Sequence, residues 1–288
     1  MNKCLLFGCI VALGVGTFVA TPAAADSFVF STGSPDGRIA TLSAPANASR
    51  SETETADDFI LSQPTTINHA TFYGLIPSGT PLSSISGVEV EFYRIFPIDS
   101  TNPPSNHVPT RTNSPADTEI ASATRDSALA SLSFTAAVLA PSFTAANSVV
   151  NGINASPNSF TAGEGPVTGD EVLIDVDFTT PILLAADHYF FRPEVDLGGA
   201  NFLWLSAPKP ILAPGTPFTT DLQSWIRNGN ISPDWLRIGT DITHQGPFNA
   251  AFSLSGETVP TPEPSSLLLL GSGLLGLGPL LRRPRRTK

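Results

Sequence analysis

Whatever chemistry this 288-residue chain performs has to come from carboxylates, four histidines and three tryptophans. The two cysteines, Cys4 and Cys9, both fall in the first ten residues, so a disulfide framework or a thiolate zinc site is excluded. His69, His107, His188 and His244 are scattered, with no H-E-x-x-H and no pair at metal-ligand spacing. The expectation is four isolated histidines at the surface or at strand ends. No G-x-S-x-G places a serine nucleophile, and no base stands at a recognisable distance from one. The expectation is therefore a protein that is not an enzyme.

Acids are the abundant resource. Between Asp26 and Thr258 there are 24 acidic residues against 9 basic ones, a net of −15. A surface of that sign repels nucleic acid, so no nucleic-acid partner is expected. Oxygen ligands converging from loops suit Ca²⁺, which makes Asp57, Asp58, Asp170, Asp175 and Asp177 the candidate calcium ligands. EF-hand spacing is absent, and the plainer role for the same acids is capping or a solvated strand face. No other cofactor is implied. A carboxylate pair poised for glycoside hydrolysis is the catalytic alternative, although no particular pair stands out.

Aromatic rings stack on sugars. Trp204 lies in Asn201–Leu205, which reads as a buried strand, whereas Trp225 and Trp235 lie in turn-rich sequence beside Asp221, Arg227, Asn228 and Asp234. Those two are the candidate glycan contacts, but core packing, the commoner fate of tryptophan, is the reading backed over binding.

The elements that must position these residues are strands. Ser27–Ser31, Asp58–Leu61, Ala70–Leu75, Val88–Phe96, Glu171–Phe178, His188–Pro193, Asn201–Leu205, Trp235–Gly239 and Asn249–Leu254 carry period-two or β-branched and aromatic character between turn residues. Val88, Val90, Phe92 and Arg94 share one face, and Glu89, Glu91, Tyr93 and Ile95 the other. Val172, Ile174, Val176 and Phe178 alternate in the same way with Leu173, Asp175, Asp177 and Thr179. One buried face and one wet face is the pattern of antiparallel sheets. At most a short helical turn is expected over Asp221–Arg227. The fold class is all-β, an antiparallel β-sandwich, jelly-roll-like. Asp99–Gly169, rich in Ser, Thr, Asn, Pro and Ala, reads as a low-complexity insertion or long loops, with weak strands near Glu119–Ala123 and Leu129–Leu139; either it contributes edge strands and hairpins or it decorates one end of the sandwich.

Both ends read as addresses. Lys3, the apolar run Leu5–Val19 and the small residues Ala23-Ala24-Ala25 form a secretory signal peptide over residues 1–25, with cleavage expected between Ala25 and Asp26 and the Sec translocon as partner. At the other end Pro260, Pro262 and Pro264 exclude helix. Ser265 to Leu281 then runs 17 residues without a charge, about 25 Å if helical, and is read as a transmembrane helix. Arg282, Arg283, Arg285, Arg286 and Lys288 follow, and basic residues prefer the cytoplasmic side. Gly271, Gly273 and Gly276 match G-x-G-x-x-G, but no strand precedes them and no acid follows at the required distance, so they read as close-packing positions.

Pro262-Glu263-Pro264, the Leu/Gly-rich span and the arginine cluster, in that order over residues 259–288, resemble the PEP-CTERM sorting signal of Gram-negative bacteria. The resemblance implies recognition by exosortase, a membrane-embedded transpeptidase. It also implies transient anchoring in the inner membrane, cutting near Pro262–Pro264 and delivery of residues 26–258 to the cell surface or beyond. The expected role is a structural or adhesive component of the extracellular, biofilm-type matrix that binds exopolysaccharide. A carbohydrate-active enzyme and a ligand-free surface spacer stand as alternatives.

Overall fold

A computed structural model describes residues 25–102, 107–126, 130–154, 161–209 and 223–260. The signal peptide, apart from its last residue, and the span and arginines of the tail lie outside these residues. Among the described residues no helix is long and apolar enough to cross a membrane.

The described residues form fifteen strands in order. They are β1 (Ser27–Ser31), β2 (Ile39–Leu42), β3 (Thr53–Ile60), β4 (Thr65–Ile76), β5 (Gly87–Ile95), β6 (Pro115–Arg125), β7 (Leu132–Ala145) and β8 (Asn147–Val149). After them come β9 (Val167–Leu184), β10 (His188–Asp196), β11 (Leu203–Ala207), β12 (Trp225–Asn228), β13 (Leu236–Arg237), β14 (Asn249–Ala250) and β15 (Phe252–Thr258). Two sheets result, one of nine strands and one of six in the order β13-β12-β3-β10-β5-β6. In the larger sheet β4 pairs with β15, β11 and β9, and β9 also pairs with β7. All of these pairings are antiparallel; β2–β8 is parallel.

The sheets face each other across an aromatic core, which makes the fold the expected all-β sandwich. Val172, Ile174, Val176 and Phe178 of β9 turn inward as their alternation requires, as do Val88, Val90 and Phe92 of β5. Phe191 of the smaller sheet stacks on Phe252 of the larger at 5.1 Å between ring centres. Phe30 meets Phe59 at 5.9 Å and Phe92 meets Phe178 at 6.2 Å. Tilted ring pairs of this kind add to the area they bury. Every strand and every core cluster lies within Ala25–Val259, a compact unit in itself. Its two ends meet, since the Thr258 N–H donates to the Asp26 carbonyl at 2.8 Å.

One open reading is resolved and one expectation changes. The stretch 99–169 supplies β6, β7 and β8, with β6 an edge of the smaller sheet and β7 lying beside β9. Its Ser, Thr and Ala are enough for strands because a neighbouring strand satisfies the backbone and little burial is asked of the side chains. Of the helical turn expected over 221–227, residues 221 and 222 lie outside the described residues, and Trp225–Arg227 belong instead to β12, whose Trp225–Asn228 pair with Thr53–Ala56 of β3. An unpaired edge of β3 outweighs local turn preference there.

Candidate functional site

The outer face of the smaller sheet holds the densest chemistry. Arg192 of β10 stands opposite Glu91 of β5, Glu194 opposite Glu89, and Arg227 of β12 opposite Glu54 of β3. Each pairing follows from i, i+2 repeats of charge on strands that lie side by side. The Arg192 guanidinium, fully buried, donates through Nη2 to Glu52 at 2.7 Å and to Glu194 at 2.6 Å. Its other nitrogens lie 3.3 Å from Glu54 and 3.5 Å from Glu91. Arg227 donates to Glu54 and to the Tyr93 hydroxyl, which in turn donates to Glu91 at 2.6 Å.

Five carboxylates, Glu52, Glu54, Glu89, Glu91 and Glu194, therefore share two arginines. The surplus is taken up by protons. Burial pushes Glu194 up to about 8, against the pull of Arg192 and with help from Glu52 and Glu89. Burial likewise raises Glu91 to about 7. Glu54 is the exception: burial disfavours its charge, but Arg192 and Arg227 together hold it below the ordinary value. Beside this cluster a cleft of about 310 Å³ opens, lined by Glu89, Asp126, Glu194 and Asp196 with Pro45 and Thr124 at its walls. No cation lines it. Its chemistry is that of acceptors for hydroxyl groups or ligands for a cation, with one acid, Glu194, able to donate a proton near neutrality.

For the two tryptophans named as candidate glycan contacts, this same face gives core packing instead. Trp225 and Trp235 are 0% exposed. Trp235 packs edge-on to Tyr93 at 5.7 Å with the Arg227 guanidinium 4.4 Å over its ring, and Ala56 and Phe190 complete the cluster. The chain around Asp234, itself paired with Arg111, folds across the sheet and carries Trp235 down onto it. The face of β5 expected to be wet is covered for the same reason, with Tyr93 only 3% exposed.

The five candidate calcium ligands fall in three places. Asp57 and Asp58 are buried in β3. Asp57 accepts from the Ala250 N–H of the opposite sheet at 2.8 Å, and Asp58 accepts from the Gln223 N–H at 2.7 Å and meets His188 Nε2. Burial raises both carboxyls, Asp57 further because Asp58 adjoins it, while the ammonium of Lys209 acts in the opposite sense on each. Asp170 accepts from the Gly79 N–H at 3.0 Å and closes the turn after β4. Asp175 and Asp177 project from the outer face of β9, where His69 of β4 joins them. His69 and His188 are thus partnered, not isolated. Sequence reading missed them because antiparallel pairing brings together residues more than a hundred positions apart. The charge repeats at 52/54, 89/91 and 192/194 were the available signal for the arginine cluster.

A two-sheet, acid-rich sandwich is the class of protein this geometry defines. Beyond it, the model of the PEP-CTERM protein-sorting motif matches residues 260–286. The chain thus carries the sorting tail of an exosortase substrate, a protein exported and held in the membrane before processing. Comparison with curated proteins and with solved structures finds no match to this chain.

Proposed function

We propose that the chain is a non-catalytic cell-surface protein, a structural or adhesive component of the extracellular polysaccharide matrix, released there from its membrane anchor. The observation that carries this reading is the sorting motif at residues 260–286, joined to a separate compact body. The acidic cleft beside Glu194 supports a contact with hydroxyl-rich polymer, since carboxylates accept hydrogen bonds from sugar hydroxyls. The buried tryptophans take no part.

Residues 26–258 should be retarded in affinity electrophoresis through the host's own exopolysaccharide, and Glu89→Gln with Asp196→Asn should weaken the retardation. Unchanged mobility of the parent would leave the spacer reading in its place. Intact mass of the mature protein should lack residues beyond the Pro262–Pro264 region; finding Arg282 to Lys288 still attached would sink processing by exosortase.

One observation favours a second reading, a carbohydrate-active enzyme. Glu194 keeps its proton to about 8 at the cleft, as a general acid requires. Turnover of polysaccharide that disappears in Glu194→Gln while binding persists would favour it.

A further inference from the structure

The outer face of the larger sheet carries a donor set that the acidic cluster does not resemble. A break in register around Asn68 displaces β4 against both neighbours, so that His69 stands opposite Asp177 on one side and Ser255 on the other. Gly256 permits the close approach this needs, because a Cβ there would stand 1.9 Å from the Thr66 carbonyl oxygen. Asp175, two residues before Asp177 and so on the same face, reaches His69 Nε2 with Oδ1 at 3.0 Å. One imidazole nitrogen and two carboxylate oxygens then lie within 4.8 Å of one another.

We infer that His69, Asp175 and Asp177 form a binding site for a divalent transition-metal ion of the zinc type. Ligands held at about 2.0–2.2 Å from a tetrahedral ion stand roughly 3.4 Å apart, so turning one exposed aspartate closes the set. The nitrogen donor sets the preference: imidazole suits Zn²⁺, Co²⁺ and Ni²⁺, whereas Ca²⁺ takes oxygens. Behind the ring, Ser255 Oγ lies 3.5 Å from Nδ1, where an Nδ1–H can donate to it once the ion takes the place of the proton that Nε2 shares with Asp175. Neither aspartate is paired with a Lys or Arg among the described residues, and the Asp177 carboxylate accepts no hydrogen bond there. The remaining coordination positions face solvent, which leaves the ion open to a further ligand.

The test is calorimetric titration of ZnCl₂ into residues 26–258, with Co²⁺ replacing Zn²⁺ to read its visible absorption. The expected result is one ion per chain, a Co²⁺ band, and at least about a tenfold loss of affinity in both His69→Ala and Asp177→Asn. Ca²⁺ at equal concentration should not displace Zn²⁺. Both side chains sit on a solvent face, so the variants should melt with the parent, and a circular dichroism melt checks this. Absence of saturable Zn²⁺ binding by the parent, or undiminished binding by folded His69→Ala, would overturn the assignment.

Discussion

The outer faces of the two sheets begin from the same alternation and end in opposite environments. On the larger sheet, Ser255, His69, Asp177 and Ser133 form one row across four strands, and Ser253, Thr71, Asp175 and Thr135 the next. That row stays at the surface, with His69 and Asp175 side chains 31% and 43% exposed. On the smaller sheet, Arg192 stands opposite Glu91 and 3.3 Å from Glu54, an equally polar set, yet Arg192 is fully buried and Trp225 and Trp235 pack with Tyr93 and Phe190 on the same face. Polarity therefore did not decide exposure. What decided it was Trp235, held by the chain around Asp234 against Tyr93, Phe190 and Arg227 on that face. A polar residue left in water titrates and binds as its own chemistry dictates; under a covering segment it must find partners or keep a proton.

Three substitutions sharpen the contrast, beginning with the greatest loss. Arg192→Met removes the cation that five carboxylates share, and should cost about 3–5 kcal/mol at pH 8. For a body of this size that is a fall in Tm of about 10 °C, partly recovered at pH 5 as the carboxyls take up protons. A melt within 2–3 °C of the parent (roughly one kcal/mol) at pH 8 would mean that Arg192 does not hold the covered face together.

A smaller effect comes from the protons themselves. Glu194 and Glu91 titrate at about 8 and about 7 in the folded protein, above their ordinary value of 4.5. Between these limits the folded state holds protons that the unfolded chain has released, so stability falls as pH rises from about 4.5 to about 8. Glu194→Gln should flatten that fall and melt above the parent at pH 9, by about 1–3 kcal/mol. Parallel curves for parent and variant would remove Glu194 from the account.

Least should happen on the open face. Thr71→Ala breaks the 2.6 Å hydrogen bond to Ser253 but leaves both positions within reach of water. Its melting should stay within about 0.5 kcal/mol of the parent, whatever the pH. A loss comparable to that of Arg192→Met would show that this face is also covered in solution.

The inward faces were legible because burial imposes a period of two wherever a strand packs on one side. Val172, Ile174, Val176 and Phe178 announced their side of β9 without any knowledge of the partner sheet. The tail was legible for another reason, since its order of prolines, apolar span and arginines is read in an extended chain. Trp225 and Trp235 were half legible: burial is the commoner fate of tryptophan, but their turn-rich sequence also left them open to the surface, because the path of a turn is a matter of what it folds onto. The segment 99–169 was opaque because edge strands need little apolar area and so leave a faint pattern.

Composition and local period, then, determined the all-β class, the acidic charge of the body and the sorting address, because each depends on residue identity and near neighbours. Tertiary structure alone decided that Arg192 would gather glutamates from 52, 54, 89, 91 and 194, and that His69 would meet Asp175 and Asp177. Pairing of strands distant in sequence set those meetings. Their register is fixed by backbone hydrogen bonds and by the aromatic core between the sheets.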